Sequence, residues 1–177
     1  LLMPGARTVE WRYTKDGSAS SGVDRVGIDD VTITPVSVMA STTTTDFEGS
    51  VTLPTGYATS GDASWSVTSA SAHGGTNSAV SGAIGHASIF GSPTTTSLTR
   101  TVVVGGSGSV SFWYRTSTEA RYDELGFYID GSLEDEWSGE TSWTQAMYTL
   151  TTGMHTLEWR YSKDSSVSSG SDQVWVD

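Results

Sequence analysis

The sequence predicts an all-β protein that folds as an antiparallel two-sheet jelly-roll sandwich. Three observations support this fold class. Several stretches alternate apolar and polar residues with a period of two, which gives each predicted strand one face toward a core. Turn signals such as Asp130-Gly131 and the run Gly105–Gly108 separate these stretches. No stretch keeps the period of roughly 3.6 residues of an amphipathic helix, so short strands joined by turns are expected throughout.

The alternation is clearest in three stretches, which we expect to be core strands. Their inward-facing side chains are large and apolar, whereas most of the residues between them are polar or small. The predicted inward residues are Val110, Phe112 and Tyr114 in the first stretch, Leu125, Phe127 and Ile129 in the second, and Leu157, Trp159 and Tyr161 in the third. Aromatic and β-branched residues of this kind favour strands.

The composition disfavours several classes of function. The 177-residue chain carries 9 Lys and Arg against 20 Asp and Glu, so its formal net charge is −11. Binding to duplex nucleic acid or to an anionic membrane surface needs a cationic patch, which this balance disfavours. The chain has no cysteine and no apolar run approaching about 18 residues, the length of a membrane-spanning helix. An acidic chain rich in Gly, Ser, Thr and aromatic residues is typical of β proteins outside the cell or on its surface.

An internal repeat divides the chain. The segment Gly5–Asp16 recurs as Gly153–Asp164, and the match continues without a gap until Asp29 aligns with Asp177, at a constant offset of 148 residues. Such self-similarity is the signature of a tandem array. We therefore expect residues 1–34 to be the C-terminal strands of a preceding repeat, residues 35–45 a Thr-rich linker, and residues 46–177 a jelly-roll module lacking its last strand.

The order of several short motifs resembles a known group of modules. The motifs include Asp46-Phe-Glu48 at the start, Phe127-Tyr-Ile-Asp-Gly131 in the middle and Leu157-Glu-Trp-Arg-Tyr161 near the end. In this order they are similar to the MAM-like, concanavalin-type jelly-roll modules of bacterial extracellular proteins, which are related to cleaved adhesin domains. The resemblance implies a non-catalytic adhesion or carbohydrate-binding repeat of a larger tandem-repeat protein, often with structural calcium. The cysteines of animal MAM domains are absent.

The sequence offers no recognisable catalytic set, and we expect no enzymatic activity. His73, His86 and His155 lack the short spacings of a zinc site, and neither a G-x-S-x-G turn nor a phosphate-binding loop occurs. Glu134 and Glu136 alternate along one stretch, as the paired carboxylates of a jelly-roll glucanase would. The tight turn just before them favours a solvated hairpin end instead.

Calcium is the one cofactor that the sequence suggests. A hard cation of this kind prefers carboxylate and carbonyl oxygen ligands. The first and last strands of a jelly roll are neighbours, so acidic residues from both ends of the module are expected to converge. The predicted ligands are Asp46, Glu48, Asp29, Asp30 and Asp177. By the resemblance, the loop near Gly75 and Asn77 would add carbonyl oxygens; the alternative is that Asp46 and Glu48 only cap the end of a strand.

A second acidic pattern offers oxygen atoms at every other position. It runs Asp164-x-Ser166-x-Ser168-x-Gly170-x-Asp172 and is repeated between Asp16 and Asp24. Side chains in this spacing would be able to surround an ion. Asp and Ser turns that bond their own backbone explain the same residues, and we favour that interpretation.

Ligand binding is expected on strand faces that point away from the core. Sugars stack on aromatic rings and accept hydrogen bonds from arginine, so a glycan or another cell-surface ligand is the expected partner. The predicted platform consists of Trp113, Arg115, Tyr128, Arg160 and Trp175, which would share one face if their strands adjoin. The alternative is that Trp113 and Trp175 lie in the core.

The repeat also allows a structural function. A module without its last strand exposes an unpaired sheet edge, and residues 26–35 contain a spare copy of that strand. The apolar residues that would complement the edge are Val26, Ile28, Val31 and Ile33. Insertion into a neighbouring repeat or subunit would build a filament by β-strand complementation, whereas insertion in cis would complete the module itself.

Overall fold

The computed structural model describes residues 8–18, 22, 25–32 and 41–177. Within these ranges it has ten β-strands and no helix, and therefore no helix that would cross a membrane. The strands are β1 Tyr57–Gly61, β2 Ser66–Thr68, β3 Ser78–Val80, β4 Thr94–Val104, β5 Gly108–Ser117, β6 Glu124–Ile129, β7 Ser132–Ser138, β8 Thr144–Leu150, β9 Gly153–Lys163 and β10 Gln173–Val176.

The strands form two sheets of five strands each. The first sheet has the order β1-β4-β9-β6-β7, and the second sheet has the order β2-β3-β10-β5-β8. Every one of these neighbouring pairs is antiparallel. Side chains from both inner faces form a single buried cluster between the sheets. The predicted all-β, antiparallel two-sheet sandwich is confirmed.

The pairing of β4 with β9 is the longest in the first sheet. Both strands have 11 residues and pair along their whole length, from Thr94 opposite Lys163 to Val104 opposite Gly153. The Thr and Val residues that fill β4 favour the extended conformation. In β9 the predicted alternation is observed, because the side chains at 157, 159 and 161 are buried and those between them are partly exposed.

Three aromatic rings join the two sheets. Phe112 of β5 contacts Phe127 of β6 and Trp159 of β9, with ring centroids 4.6 and 5.2 Å apart, and the latter two rings are 5.3 Å from each other. All three side chains are buried. Tilted and edge-on contacts of this kind contribute about 0.5–1.5 kcal/mol per pair beyond the burial of apolar area. The chain has no cysteine, so no disulfide assists this packing.

The turn between β6 and β7 forms at the predicted dipeptide. Asp130 and Gly131 both have positive φ, 53° and 82°, as a two-residue hairpin turn of this type requires. The Asp130 carboxylate lies 2.7 Å from Nδ1 of His155 and accepts the N–H of Thr156 at 2.8 Å. The other ring nitrogen of His155 lies 2.9 Å from the carbonyl oxygen of Thr151.

These contacts shift the pKa of both partners toward the charged forms. Both nitrogens of His155 face acceptors, and only the protonated ring donates from both. The pKa of His155 is raised, first by the hydrogen bond to Asp130 and then by the bond to the Thr151 carbonyl. The pKa of Asp130 is lowered, first by the Thr156 N–H and then by His155.

The first copy of the repeated sequence forms no strand within the described residues 8–18 and 25–32. Trp11 is 55% exposed there, whereas its counterpart Trp159 is 3% exposed between β4 and β6. The same sequence is therefore buried in one copy and solvated in the other. The assignment of residues 1–34 to a preceding repeat and of residues 35–45 to a linker stays a prediction.

The spare strand is not inserted in cis in its described part. Val26, Ile28 and Val31 are each at least half exposed, and none belongs to a strand. Ile33 lies outside the described residues.

Replacing Asp130 by Asn tests the contribution of the His155 contact to stability. Asn tolerates a positive φ, so the turn is kept while the charge is lost. A raised histidine pKa stabilises the fold below the unfolded pKa of about 6.5, and this stabilisation is lost as the pH rises through the folded value. We expect the Tm of the wild type to fall over that window and the D130N variant to show a smaller slope, measured by thermal unfolding between about pH 5 and 9. Equal slopes in both proteins would contradict the assignment.

Candidate ligand-binding surface and acidic clusters

The second sheet carries aromatic side chains on its outer surface. In β5 the side chains of Phe112 and Tyr114 point inward and are buried, so Trp113 and Arg115 point outward. The imidazole of His73 stacks on Trp113, with ring centroids 3.6 Å apart and planes inclined by 10°. Trp143, in the connection between β7 and β8, approaches the same imidazole edge-on at 6.2 Å.

An open cavity lies beside Trp143. Its volume is about 410 Å³, and it is lined by Arg115, Glu140, Thr141, Ser142 and Trp143. The aromatic face, as we use the term, consists of His73, Trp113, Arg115, Glu140 and Trp143. Rings for stacking, hydrogen-bond donors and acceptors thus adjoin in one region, which is the combination that recognises a sugar.

Trp175 does not offer a free ring surface. Its register partner in β5 is Arg115, so it belongs to the outer surface of the second sheet, yet it is only 5% exposed. The guanidinium carbon of Arg115 lies 4.9 Å from the centre of the Trp175 ring, and Nη1 of the same arginine donates a hydrogen bond to Ser71 Oγ at 2.9 Å. Trp175 is therefore buried, as the alternative expected, but it lies outside the cluster between the sheets and positions Arg115.

Tyr128 and Arg160 lie on the opposite side of the sandwich. Their strands, β6 and β9, belong to the first sheet, so the expectation that all five predicted ligand-binding residues share one face is corrected by the topology. The Arg160 guanidinium lies 4.2 Å from the centre of the Tyr128 ring and makes two hydrogen bonds of 2.9 Å to Glu158. A Cβ at Gly126 would lie 2.8 Å from the Tyr128 ring. The Tyr128 ring is therefore covered by its own neighbours, and the aromatic face is the stronger candidate.

Glu48, a predicted calcium ligand, holds the loop at residues 73–77. Its carboxylate accepts the N–H groups of Thr76 and Asn77 at 2.8 and 2.7 Å and the Thr76 hydroxyl at 2.7 Å. These bonds, with the Thr76 hydroxyl first, lower the pKa of Glu48. Gly75, which precedes Thr76, has a φ of 63°, and a side chain there would clash with the Glu48 carboxylate.

Asp177 holds the start of the same loop. Its Oδ2 accepts the N–H groups of residues 73 and 74 at 2.8 and 3.0 Å, and Asp46 caps the N–H of Glu48 at 3.1 Å. The structure thus brings two of the predicted ligands, Glu48 and Asp177, to one loop, while Asp46 bonds the backbone of Glu48. Asp29 and Asp30 are exposed, and the hydrogen bond found for them joins one to the other. The oxygen atoms that would bind calcium accept N–H groups of the loop in this structure. Calcium at this loop therefore stays a proposal.

A second group of carboxylates was not predicted as a unit. One oxygen each of Glu119, Asp123 and Asp164 lies within 4.8 Å of the other two, and we call these residues the carboxylate cluster. Burial raises the pKa of Asp123, which is fully buried. Burial and then the charges of Asp164 and Asp123 raise the pKa of Glu119.

The alternating Asp and Ser pattern forms turns, as the favoured interpretation expects. The N–H of Ser166 donates to Asp164 at 2.8 Å, and the equivalent bond from Ser18 to Asp16 is 3.0 Å. Asp172, at the other end of the pattern, accepts the Tyr161 hydroxyl at 2.8 Å and also bonds Lys163. The oxygen atoms of the pattern therefore bond one another, the neighbouring backbone and Lys163.

The side chains considered for catalysis lie apart. Glu134 and Glu136 are exposed on β7, an edge strand. His155 bonds Asp130 at one end of β9, and His73 stacks on Trp113 on the outer surface of the second sheet. Of the residues on the aromatic face, the predictions missed His73, Glu140 and Trp143, because they lie in connections where no alternation marks them.

Comparison with known proteins shows similarity at the level of the fold. No protein-family profile and no curated protein matches the chain. The K1 cleaved adhesin domain of Lys-gingipain from Porphyromonas gingivalis W83 superposes with a TM-score of 0.55 at 13% identity, over 75% of this chain and 92% of that domain. The K3 domain of the same protein gives 0.51 at 14%, over 75% and 93%. The CBM22-1 xylan-binding domain of a Paenibacillus barcinonensis protein gives 0.49 at 15%, over 75% and 86%. The chain thus has the sandwich fold of the cleaved adhesin domains.

Proposed function

We propose that this chain is a non-catalytic extracellular module that binds a glycan or another ligand on a cell surface through the aromatic face. One observation carries the proposal: Arg115, Glu140 and the partly exposed Trp143 line one open cavity, and Trp143 also contacts the exposed imidazole of His73, which stacks on the partly exposed Trp113. The name of the similar domains, cleaved adhesin domains, supports a binding function of this type. A location outside the cell or on its surface is part of the same proposal.

The polar groups of the aromatic face are held in place before a ligand arrives. Arg115 is fixed by the Trp175 ring and by Ser71, and Glu140 accepts the Ser117 hydroxyl at 2.7 Å. Binding to fixed groups loses less conformational entropy than binding to mobile ones. This arrangement suits a ligand whose hydroxyl groups meet Arg115 and Glu140 while its ring stacks on Trp143.

Replacing Trp143 by Ala tests this function on a glycan array. Loss of one stacking ring is expected to weaken binding by about tenfold, from a stacking contribution of about 1.5 kcal/mol. Trp113→Ala is expected to act in the same direction because it also frees His73. Phe90→Ala is the matched control, since Phe90 is a fully exposed aromatic side chain that is not part of the aromatic face. Binding that survives both Trp substitutions would contradict the proposal.

We also propose calcium as a structural ion where Asp46, Glu48 and Asp177 meet the loop at residues 73–77. Glu48 and Asp177, which come from the two ends of residues 46–177, both accept N–H groups of that loop, and calcium takes carboxylate and carbonyl oxygens. Binding would replace hydrogen bonds that these carboxylates accept from the loop. The ion would then fasten the loop to both ends of the module.

Thermal unfolding with calcium and with a chelator tests this site. A ligand that binds only the folded state raises the Tm. We expect Glu48→Gln to reduce the calcium-dependent rise. Glu134→Gln, which removes an exposed charge from β7, is the control and is expected to behave like the wild type. An unchanged calcium response in E48Q would remove calcium from this loop.

A second candidate function is assembly by β-strand complementation, and one observation favours it. β5 pairs with β8 from Gly108 to Tyr114, but β10 covers the other side of β5 only from Tyr114 to Ser117, with one further backbone pair at Trp113. Among the described residues, no strand covers that side of β5 from residue 108 to residue 112. Val26, Ile28 and Val31 are exposed in the segment whose sequence would extend such a strand.

Light scattering across a concentration series tests assembly. If the segment inserts into a second copy, the mass is expected to rise with concentration, and Val31→Asp is expected to return the protein to a monomer because a charge would enter an apolar slot. Val51→Asp changes an 86% exposed residue outside that segment and is the matched control. A monomer at every concentration would contradict the filament.

A further inference from the structure

The carboxylate cluster is built from two parts of the chain that are each held by backbone hydrogen bonds. Glu119 and Asp123 lie in the connection between β5 and β6, where the Asp123 N–H donates to the Glu119 carbonyl at 3.2 Å. Asp164 follows β9; its own N–H donates to Asp123 Oδ1 at 3.1 Å, and its carbonyl accepts the Ala87 N–H at 2.8 Å. The three carboxylates are therefore brought together by fixed backbone and not by flexible surface chains.

Two oxygen atoms of the cluster are buried without a hydrogen-bond partner. Asp123 has no exposed surface, and neither its Oδ2 nor Glu119 Oε2 has a partner within the described part of the chain. Buried polar atoms are nearly always satisfied, so an exception points to a group that completes the site. A carboxylate oxygen accepts only, and the missing group is therefore a donor or a cation.

Lys163, the cation that pairs with Asp123, is already engaged by other groups. Lys163 is 1% exposed, and its ammonium group bonds Asp172 and the Ser168 hydroxyl, the latter at 3.1 Å. Its distance to Asp123 Oδ2 is 3.6 Å, an ion pair without a hydrogen bond. The Lys163 ammonium group thus bonds Asp172 more closely than it bonds Asp123. One positive charge is therefore shared with Asp172, and the three carboxylates of the cluster keep an excess of negative charge.

We propose that Glu119, Asp123 and Asp164 bind a calcium ion. The donor set consists of carboxylates alone, which favours a hard divalent cation over zinc, whose sites use Cys and His ligands. The two unpartnered oxygens would coordinate the ion, and its positive charge would offset the repulsion among the three carboxylates. It would link the connection between β5 and β6 to the end of β9, and through Asp164 to the segment at Ala87.

This site is separate from the calcium position proposed at the loop 73–77. The two sites have no ligand in common, and the carboxylate cluster shares no residue with the aromatic face. The wild type is therefore expected to bind calcium at two positions, and variants of one site are expected to leave the other intact. The failure of one proposal is thus distinguishable from the failure of the other.

Calcium titration of the full chain by calorimetry and by thermal unfolding tests the site. Glu119→Gln keeps the size of the side chain and removes one ligand charge, so we expect it to lose one binding equivalent or to weaken it by about tenfold or more. In the absence of calcium, its Tm is expected to equal or exceed that of the wild type because one repelling charge is gone. Glu48→Gln is expected to keep the cluster's response, and Glu134→Gln is the matched surface control.

A measurement on the wild type tests the site without any substitution, so its result does not depend on whether the variants fold. Calcium is expected to shift the backbone amide resonances of residues 119–123 and 164 in a nuclear magnetic resonance titration. Unshifted amides in these residues would overturn the proposal, as would full calcium binding by both E119Q and D123N. A response to magnesium equal to that to calcium would overturn the choice of ion.

Discussion

The contact of Phe112 with Phe127 and Trp159 is the constraint on which the other features depend. It is made between the two sheets, and no disulfide assists it. Because successive residues of a strand point to opposite faces, burying Phe112 turns Trp113 and Arg115 outward. Burying Trp159 turns Glu158 and Arg160 outward on the other side in the same way. The position of the aromatic face is thus a consequence of the core.

The sequence was sufficient to predict which residues of a strand face inward, but not which strands adjoin. Alternation is local, and it correctly placed Trp113 and Arg115 on an outer surface. Sheet membership is set by pairing between distant segments, so the prediction wrongly joined Tyr128 to them. Trp175 shows a third case, in which a side chain that points away from the core is still covered by a neighbour, Arg115.

The functional candidates that the sequence missed lie in connections between strands. His73 and Trp143 have no alternating neighbours that would mark their orientation. Glu119 and Asp123 are four residues apart in a connection, and their closeness to Asp164 arises only when β9 returns beside β6. For Asp164 the sequence did offer a signal, because the dipeptide Lys163-Asp164 before the Ser-rich turn recurs as Lys15-Asp16 in the other copy of the repeat.

The two copies of the repeat separate local from tertiary causes of structure. The turn made by Asp164 and Ser166 forms again at Asp16 and Ser18, because its hydrogen bonds join residues two positions apart. The strand that contains Trp159 does not form again around Trp11, because a strand needs a neighbouring strand to pair with and a surface on which to bury its ring. The local sequence is therefore sufficient to predict this turn, whereas formation of the strand depends on neighbouring strands from distant parts of the chain.

The surroundings of a carboxylate, more than its residue type, decide its electrostatic state in this chain. Glu48 accepts backbone N–H groups and a hydroxyl, and its pKa is lowered. Glu119 has a buried oxygen that no donor among the described residues reaches and lies beside two other carboxylates, and its pKa is raised by burial and by these charges. The Thr76 hydroxyl and backbone N–H groups stabilise the charge of Glu48, while the charge of Glu119 lacks such compensation. The protein has a net charge of −11 and few basic side chains, and this scarcity of internal cations is why we propose a bound ion for such a site.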